Sequence, residues 1–256
     1  NYVYLAHDAA SGATLVVDPA VAAPVVAAAE ARGWRLTHIL NTHHHGDHTG
    51  ANLELKAAYG LTIVGAGHDA ARIPGIDVRV GDGDSYDFAG HRAQVMAVPG
   101  HTTGHIAYYF AASDALFCGD TLFALGCGRV FEGTMDQMWR SLSALRALPD
   151  DTRVYCAHEY TQANARFALS VDGDNPALVQ RAAEIDSLRA AGRPTVPSAL
   201  GEEKRTNPFL RADDPALAAA VGLVAADPVA GSSPMPAAAP NIRARTRRAA
   251  RSTTIG

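Results

Sequence analysis

Apolar positions in the first 160 residues come in short runs separated by turn residues, a spacing that predicts strands rather than long helices. Tyr2–Leu5 and Thr14–Val17 flank the polar turn Asp8–Gly12 and read as a hairpin. Leu36–Asn41, Thr62–Val64, Asp77–Val80, Arg92–Val98, Ile106–Phe110, Leu116–Cys118 and Arg153–Cys156 follow as further strands. Three helices are expected among them: Val21–Arg32 ending at Gly33, Asn52–Tyr59 stopped by Gly60, and Met135–Leu148. Beyond about residue 161 the strand pattern stops. Gln162–Leu169 and Pro176–Ala191 have helical spacing, with Leu178, Val179, Ala182, Ile185 and Leu188 apolar in the second. The pattern predicts an α/β domain over residues 1–160 and a smaller helical domain over 161–230.

Composition adds limits. Apolar residues make up 48% and charged residues 19%, an ordinary globular balance. A net charge of -4 gives no reason to expect nucleic acid or an anionic membrane as partner. Residues 231–256 depart from the rest: they hold Arg243, Arg245, Arg247, Arg248 and Arg251 and no acidic residue, among Ala, Pro and Ser. This stretch reads as a basic, poorly ordered tail. Cys118, Cys127 and Cys156 are odd in number and contain no CxxC pair, which fits a reducing, cytoplasmic setting better than a disulfide framework. No apolar run approaches the roughly 18 residues needed to span a bilayer. The chain begins at Asn1 rather than methionine, which leaves a removed leader open. A monomer is expected.

The most pointed chemistry is in Thr42–Gly50, where four histidines and one aspartate fall between His43 and His48. Neutral imidazole and carboxylate hold zinc, iron or manganese. His43 and His45 are two apart and project to one side of an extended segment, whereas His44 points away. Asp47 and His48 follow a turn that Gly46 makes easy. Three later strings repeat a strand end, a small residue and a potential ligand: Pro99-Gly100-His101, Cys118-Gly119-Asp120 and Cys156-Ala157-His158. Strands leaving a sheet at one edge would bring these side chains together.

The string THHHGDH, with PGHT, GDT and the final histidine in order, resembles the HxHxDH signature of the metallo-β-lactamase superfamily. The resemblance implies an αββα sandwich with a two-metal site at one sheet edge. His43, His45 and His101 would hold one ion and Asp47, His48 and His158 the other, with Asp120 bridging. It further implies hydrolysis by a hydroxide formed at the metals and held by Asp47, His48 and Asp120. Zinc is the expected metal, and iron and manganese suit the same donors.

Three more strings narrow the resemblance: LFALGCGRVFEGT over Leu122–Thr134, HEYT over His158–Thr161 and EKRTNPFLR over Glu203–Arg211. Together they are similar to glyoxalase II, which cleaves S-D-lactoylglutathione to glutathione and D-lactate. By that resemblance Arg129, Tyr160 and Arg211 contact the glutathione moiety. Guanidinium forks suit its carboxylates. Phe131 stands where some members have tyrosine, so it can pack on the substrate but not donate to it. The leaving thiolate has a conjugate acid pKa of about 8.5 and departs without a separate general acid, so Glu159 receives no catalytic role. Two other readings stay open: a mononuclear iron persulfide dioxygenase, using His43, His101 and Asp120, and another hydrolase of the same fold. A non-catalytic metal-binding protein would predict damage among the seven donors, and none is damaged.

Overall fold

The computed structural model describes residues 1–222. The expected basic tail over 231–256 lies outside them. Five strands, β1 (Tyr4–His7), β2 (Ala13–Val17), β3 (Arg35–Leu40), β4 (Thr62–Ala66) and β5 (Val78–Val80), form one sheet in that order. The β1–β2 pair is antiparallel and the remaining pairs are parallel. A second sheet is built from β6 (Ser85–Phe88), β7 (His91–Ala97), β8 (Ile106–Phe110) and β9 (Ala115–Gly119). After the short hairpin β10 (Leu122–Phe123) and β11 (Gly126–Cys127), β12 (Arg153–Cys156) and β13 (Ser198–Ala199) complete it. Its order is β13-β12-β9-β8-β7-β6.

The sheets stack because their strands are apolar on both faces. In β8, Ile106, Tyr108 and Phe110 join the core shared with the first sheet, while Ala107 and Tyr109 face the other way. In β9, Ala115 and Phe117 face inward, and Leu116 and Cys118 outward. The period-2 alternation therefore feeds two cores, which is why the strands read as continuous hydrophobic runs. Helices cover the outer faces. α1 (Ala22–Glu30) and α3 (Asn52–Tyr59) pack Ala22, Val25, Ala29 and Leu55 on the first sheet, and the single turn α2 (Gly46–Thr49) lies between them in sequence. α4 (Met135–Arg146) packs Met138, Leu142 and Leu145 on the second sheet. Thr134 and Gln137 cap its start reciprocally.

The remaining helices are α5 (Thr161–Asp172), α6 (Pro176–Ala190), α7 (Leu200–Thr206) and α8 (Pro215–Ala220). α5 and α6 pack through Ala165, Ala168, Leu178, Ala182 and Ile185. Asn175 caps α6 by accepting from Ala177 and Leu178 N–H groups. The structure adds elements beyond the hydrophobic pattern: β6 is polar and half exposed, and α7 carries a run of charged residues. A one-turn helix, not a simple turn, carries Asp47 and His48.

Candidate metal centre and substrate cleft

Strand direction decides where the donors meet. β7 is antiparallel to β8, and β8 to β9, so β7 and β9 run the same way; β12 is parallel to β9. The C-terminal ends of all three therefore lie on one edge. His101, Asp120 and His158 follow those ends. His43–His48 follow the C-terminal end of β3 in the parallel part of the other sheet, the edge where open α/β sheets place their ligands.

The structure brings together His43, His45 and His101 as one group and Asp47, His48 and His158 as another. His45 Nδ1 lies 3.1 Å from both His43 Nε2 and His101 Nε2. Asp120 stands between the groups: Oδ1 is 3.5 Å from His48 Nε2, while Oδ2 is 3.5 Å from His101 Nε2 and 3.2 Å from His158 Nε2. Asp47 Oδ2 lies 3.5 Å from His48 Nε2 and 3.6 Å from His158 Nε2. All seven expected donors are at one place.

Outward hydrogen bonds orient the rings. His101 Nδ1 donates to the Arg129 carbonyl at 2.7 Å, which can only accept. Thr42 Oγ1 donates to Asp18 Oδ2, so it accepts from His43 Nδ1 at 3.1 Å. His48 Nδ1 donates to Asp18 Oδ2 at 3.0 Å. His43 and His101, both held neutral by burial, are thus left with a bare Nε2 facing inward, the tautomer a metal requires, and His48 presents its Nε2 to the same side. Asp18 also lies within ligand distance of His43 and His48. Its oxygens are already engaged by Thr42 and His48, so we assign it a supporting role.

The electrostatics fit a cation. His43 is pushed well below the usual imidazole range by burial and then by the neighbouring histidines, so it stays neutral. Burial and the neighbouring His101 likewise lower His45. Burial would also lower His48, but Asp18, Asp47 and Asp120 outweigh it and raise it to about 10. Burial opposes ionisation of Asp120, yet His158, His48 and His101 hold it below the ordinary carboxylate range. Among the described residues, His48 Nε2 and Asp120 Oδ1 are buried polar atoms without a hydrogen-bond partner. Such orphans are costly unless something fills the space between them. The donor set fits a divalent metal.

Sequence reasoning missed Asp18 and His105. Asp18 follows β2 directly, without the small residue that marked the other donors. Fully buried His105 donates through Nδ1 to the Ile106 carbonyl at 3.1 Å, and its Nε2 accepts from the Asp120 N–H, also at 3.1 Å. Its ring stacks on His43 at 4.6 Å. A second histidine four residues after His101 was the available signal. His44, read as pointing away, hydrogen-bonds Asp69 at 3.0 Å instead of joining the donors. Gly119 shows how tightly the turn before Asp120 is built: its φ is +49°, and an added Cβ would lie 2.3 Å from Thr42 Oγ1.

Beside the donors opens a cleft of about 420 Å³, within the range of small-molecule sites. His101, Asp120, Phe123, Cys127 and Asn164 line it together with Arg129, Phe131 and Tyr160. Phe131 is 60% exposed and Tyr160 50%, so both rings present open faces to the cleft. Exposed Arg129 lies over the Phe131 ring at 5.7 Å. The Arg129–Phe131 wall is anchored to His101, since Phe131 N donates to the His101 carbonyl at 3.2 Å. An apolar cavity of about 240 Å³, lined by Tyr4, Phe110, Phe117 and Tyr155, lies near the Ala115 end of β9, opposite the Asp120 end.

Arg211 is the expected contact that the structure places elsewhere. Its guanidinium pairs with Asp172 and, at 2.8 Å, with Asp214, and it is absent from the cleft wall. The two carboxylates satisfy its fork, tying the end of α5 to the start of α8. Glu159 accepts from the Tyr2 hydroxyl and from Thr195 N and Oγ1 at 3.0 and 2.7 Å, a latch between the sheet and the helical half.

Comparison with known proteins gives two family matches. Residues 1–158 match the model described as the metallo-beta-lactamase superfamily, and residues 159–233 match the hydroxyacylglutathione hydrolase C-terminus. A hydroxyacylglutathione hydrolase of Methylococcus capsulatus is 61% identical over 223 residues, 87% of either chain. One from Rhodospirillum rubrum is 60% identical over 229 residues, 90% of either chain. Among solved structures, ETHE1 from Myxococcus xanthus superposes with a TM-score of 0.63 at 30% identity, covering 81% of this chain and 78% of that one. The B3 metallo-beta-lactamase BLEG-1 (TM-score 0.62, 19% identity, 81% and 93% coverage) shares the fold.

Proposed function

The chain belongs to the metallo-beta-lactamase superfamily and, within it, to the hydroxyacylglutathione hydrolases, and from that premise we propose that it cleaves S-(2-hydroxyacyl)glutathione, S-D-lactoylglutathione above all, to glutathione and the free 2-hydroxy acid. The enzyme is a metal-dependent thioesterase. The observation that carries the substrate reading is the cleft that runs from Asp120 and His101 to Arg129, Phe131 and Tyr160.

In this reading His43, His45 and His101 would hold one ion and Asp47, His48 and His158 a second, with Asp120 available to both. Zinc is the metal proposed. Divalent ions in these positions supply Lewis acidity, polarising a carbonyl and lowering the pKa of water from about 15.7 to about 7. The chain's own residues do the rest. The Arg129 guanidinium pairs with a glutathione carboxylate, and Phe131 packs on the peptide. Tyr160 stays protonated and donates through its hydroxyl, because burial, then Asp120 and Asp47, raise its pKa. No general acid is needed for a thiolate whose conjugate acid has a pKa of about 8.5. The Asp47–His48–His158 group speaks against a mononuclear reading, which leaves it without a role.

The α/β part, residues 1–160, is taken as the catalytic domain and 161–230 as the substrate-binding one. A cytoplasmic monomer is proposed. No helix among the described residues is long and apolar enough to cross a membrane, and none of the three cysteines forms a disulfide. The test incubates purified protein with S-D-lactoylglutathione, following thioester loss while assaying bound metal. Turnover with two metals per chain is expected; a fully loaded but inert protein overturns the proposal.

A further inference from the structure

One wall of the cleft is the β10–β11 hairpin, which contributes Phe123 and Cys127. The polar backbone groups of its loop are satisfied by side chains from the helical half. Asn207 Nδ2 donates to the Phe123 and Gly126 carbonyls at 3.1 and 3.0 Å. Asn164 Nδ2 donates to the Ala124 carbonyl at 3.0 Å. Leu125 N donates to Glu203 Oε2 at 2.9 Å. Glu203 is wholly buried and paired with buried Arg181, whose Nη1 donates to Thr206 at 2.6 Å.

The hairpin needs this hold. Leu125 sits at φ +56°, a left-handed conformation that L-residues adopt only when their surroundings compel it. Its side chain is fully buried among Ala165, Ala168, Leu178 and Ile185 of α5 and α6. What the hairpin carries bears on the cleft. The Phe123 ring meets Tyr160 edge to face at 5.5 Å and His158 at 5.8 Å, and Tyr160 stacks on His158 at 4.9 Å.

We propose that Asn207 and Glu203 are positioning residues for the glutathione side of the cleft, acting through the hairpin to set Phe123 and Tyr160 without touching substrate. The inference rests on the glutathione-thioester reading above. Loss of the clamp should loosen the wall that grips the tripeptide while leaving the metal donors in place. It should therefore appear as weaker binding of the long substrate and not as slower chemistry in general.

The experiment compares metal-loaded wild type and Asn207→Ala on two thioesters: S-D-lactoylglutathione, and the lactoyl thioester of N-acetylcysteamine, which lacks the peptide arms. We expect KM for the glutathione thioester to rise about tenfold and kcat to change less than about threefold. kcat/KM for the short thioester stays at the wild-type value, metal content is retained, and hydrogen exchange accelerates across residues 122–127. Equal losses on both substrates, or an unchanged KM with unchanged exchange, overturn the proposal. Should Asn207→Ala fail to fold, Glu203→Gln keeps the shape and weakens the Leu125 contact from a position outside the cleft wall; unchanged exchange and KM in that variant overturn it equally. A wild-type enzyme inert towards both thioesters refutes the functional reading instead, and hairpin exchange in the variant then decides the clamp alone.

Discussion

Replacing Asp18 by Asn tests whether the metal centre depends on a residue that holds no metal. Asp18 is 3% exposed and accepts three hydrogen bonds: from Thr42 N at 2.8 Å, Thr42 Oγ1 at 2.7 Å and His48 Nδ1 at 3.0 Å. Asparagine keeps the shape and can still accept from Thr42 N. Its amide N–H₂ group then faces the Thr42 hydroxyl and His48 Nδ1. His48 can meet a donor only by accepting through Nδ1, which places its proton on Nε2, the atom aimed at Asp47 and Asp120. Two charge-assisted hydrogen bonds at about 1.5–3 kcal/mol each are exchanged for weaker ones, so we expect about 2–4 kcal/mol less stability in the metal-free protein. Metal affinity should fall about 10- to 100-fold, as when other outer partners of ligating histidines are removed. The loss should concentrate on the ion held by Asp47, His48 and His158. Chelator-competition titration with zinc separates the two binding steps, and thermal unfolding of the stripped protein gives the stability term. Two unchanged binding constants in a folded Asp18→Asn variant would refute the tautomer argument.

Other outcomes follow from the same geometry. His48, raised to about 10 in the metal-free protein, is protonated at pH 8 and must lose that proton to become a ligand. Zinc uptake at pH 8 should therefore release protons, read by calorimetry in two buffers of different ionisation enthalpy; a buffer-independent heat would contradict it. Arg129→Ala should raise KM for the glutathione thioester about tenfold with little change in kcat, because the guanidinium is exposed beside the cleft and touches no metal donor. A kcat loss at constant KM would remove Arg129 from substrate binding. Glu132 is lowered from 4.5 to about 2, chiefly by Arg72. Its folded-state pKa lies below the unfolded one, so its contribution is present above pH 4.5 and is lost as pH falls towards 2. In acid melts, Glu132→Gln should lose less stability than wild type across that window; parallel curves would show that the pair contributes nothing.

The convergence of the seven His and Asp side chains was legible because each follows an apolar run and shares an edge with the others, a relation that strand direction creates and sequence order preserves. β8 and β9 were legible for a related reason, since strands buried on both faces read as unbroken apolar runs. Leu125 and its hairpin were not. Their conformation is imposed by Glu203 and Asn207, about 80 residues away, and no local propensity encodes it. The burial of Glu203 within its charged stretch was not legible either, because its partner Arg181 comes from another helix. Arg211 shows the converse. A guanidinium in a motif suggests a carboxylate ligand, and here the carboxylates beside it are Asp172 and Asp214 of the same chain.

The seven donors come from two layers: His43, His45, Asp47 and His48 from the loop after β3, and His101, Asp120 and His158 from the other sheet. Metal held by these donors, as proposed, would act as a clasp across the seam of the sandwich. A ligand bound only by the folded chain at 100 times its dissociation constant adds about 2.7 kcal/mol of stability. In a cell starved of metal, the unclasped seam opens more often and offers this chain to proteases, so abundance should fall along with activity. Metal supply then sets how long the enzyme lasts as well as whether it works.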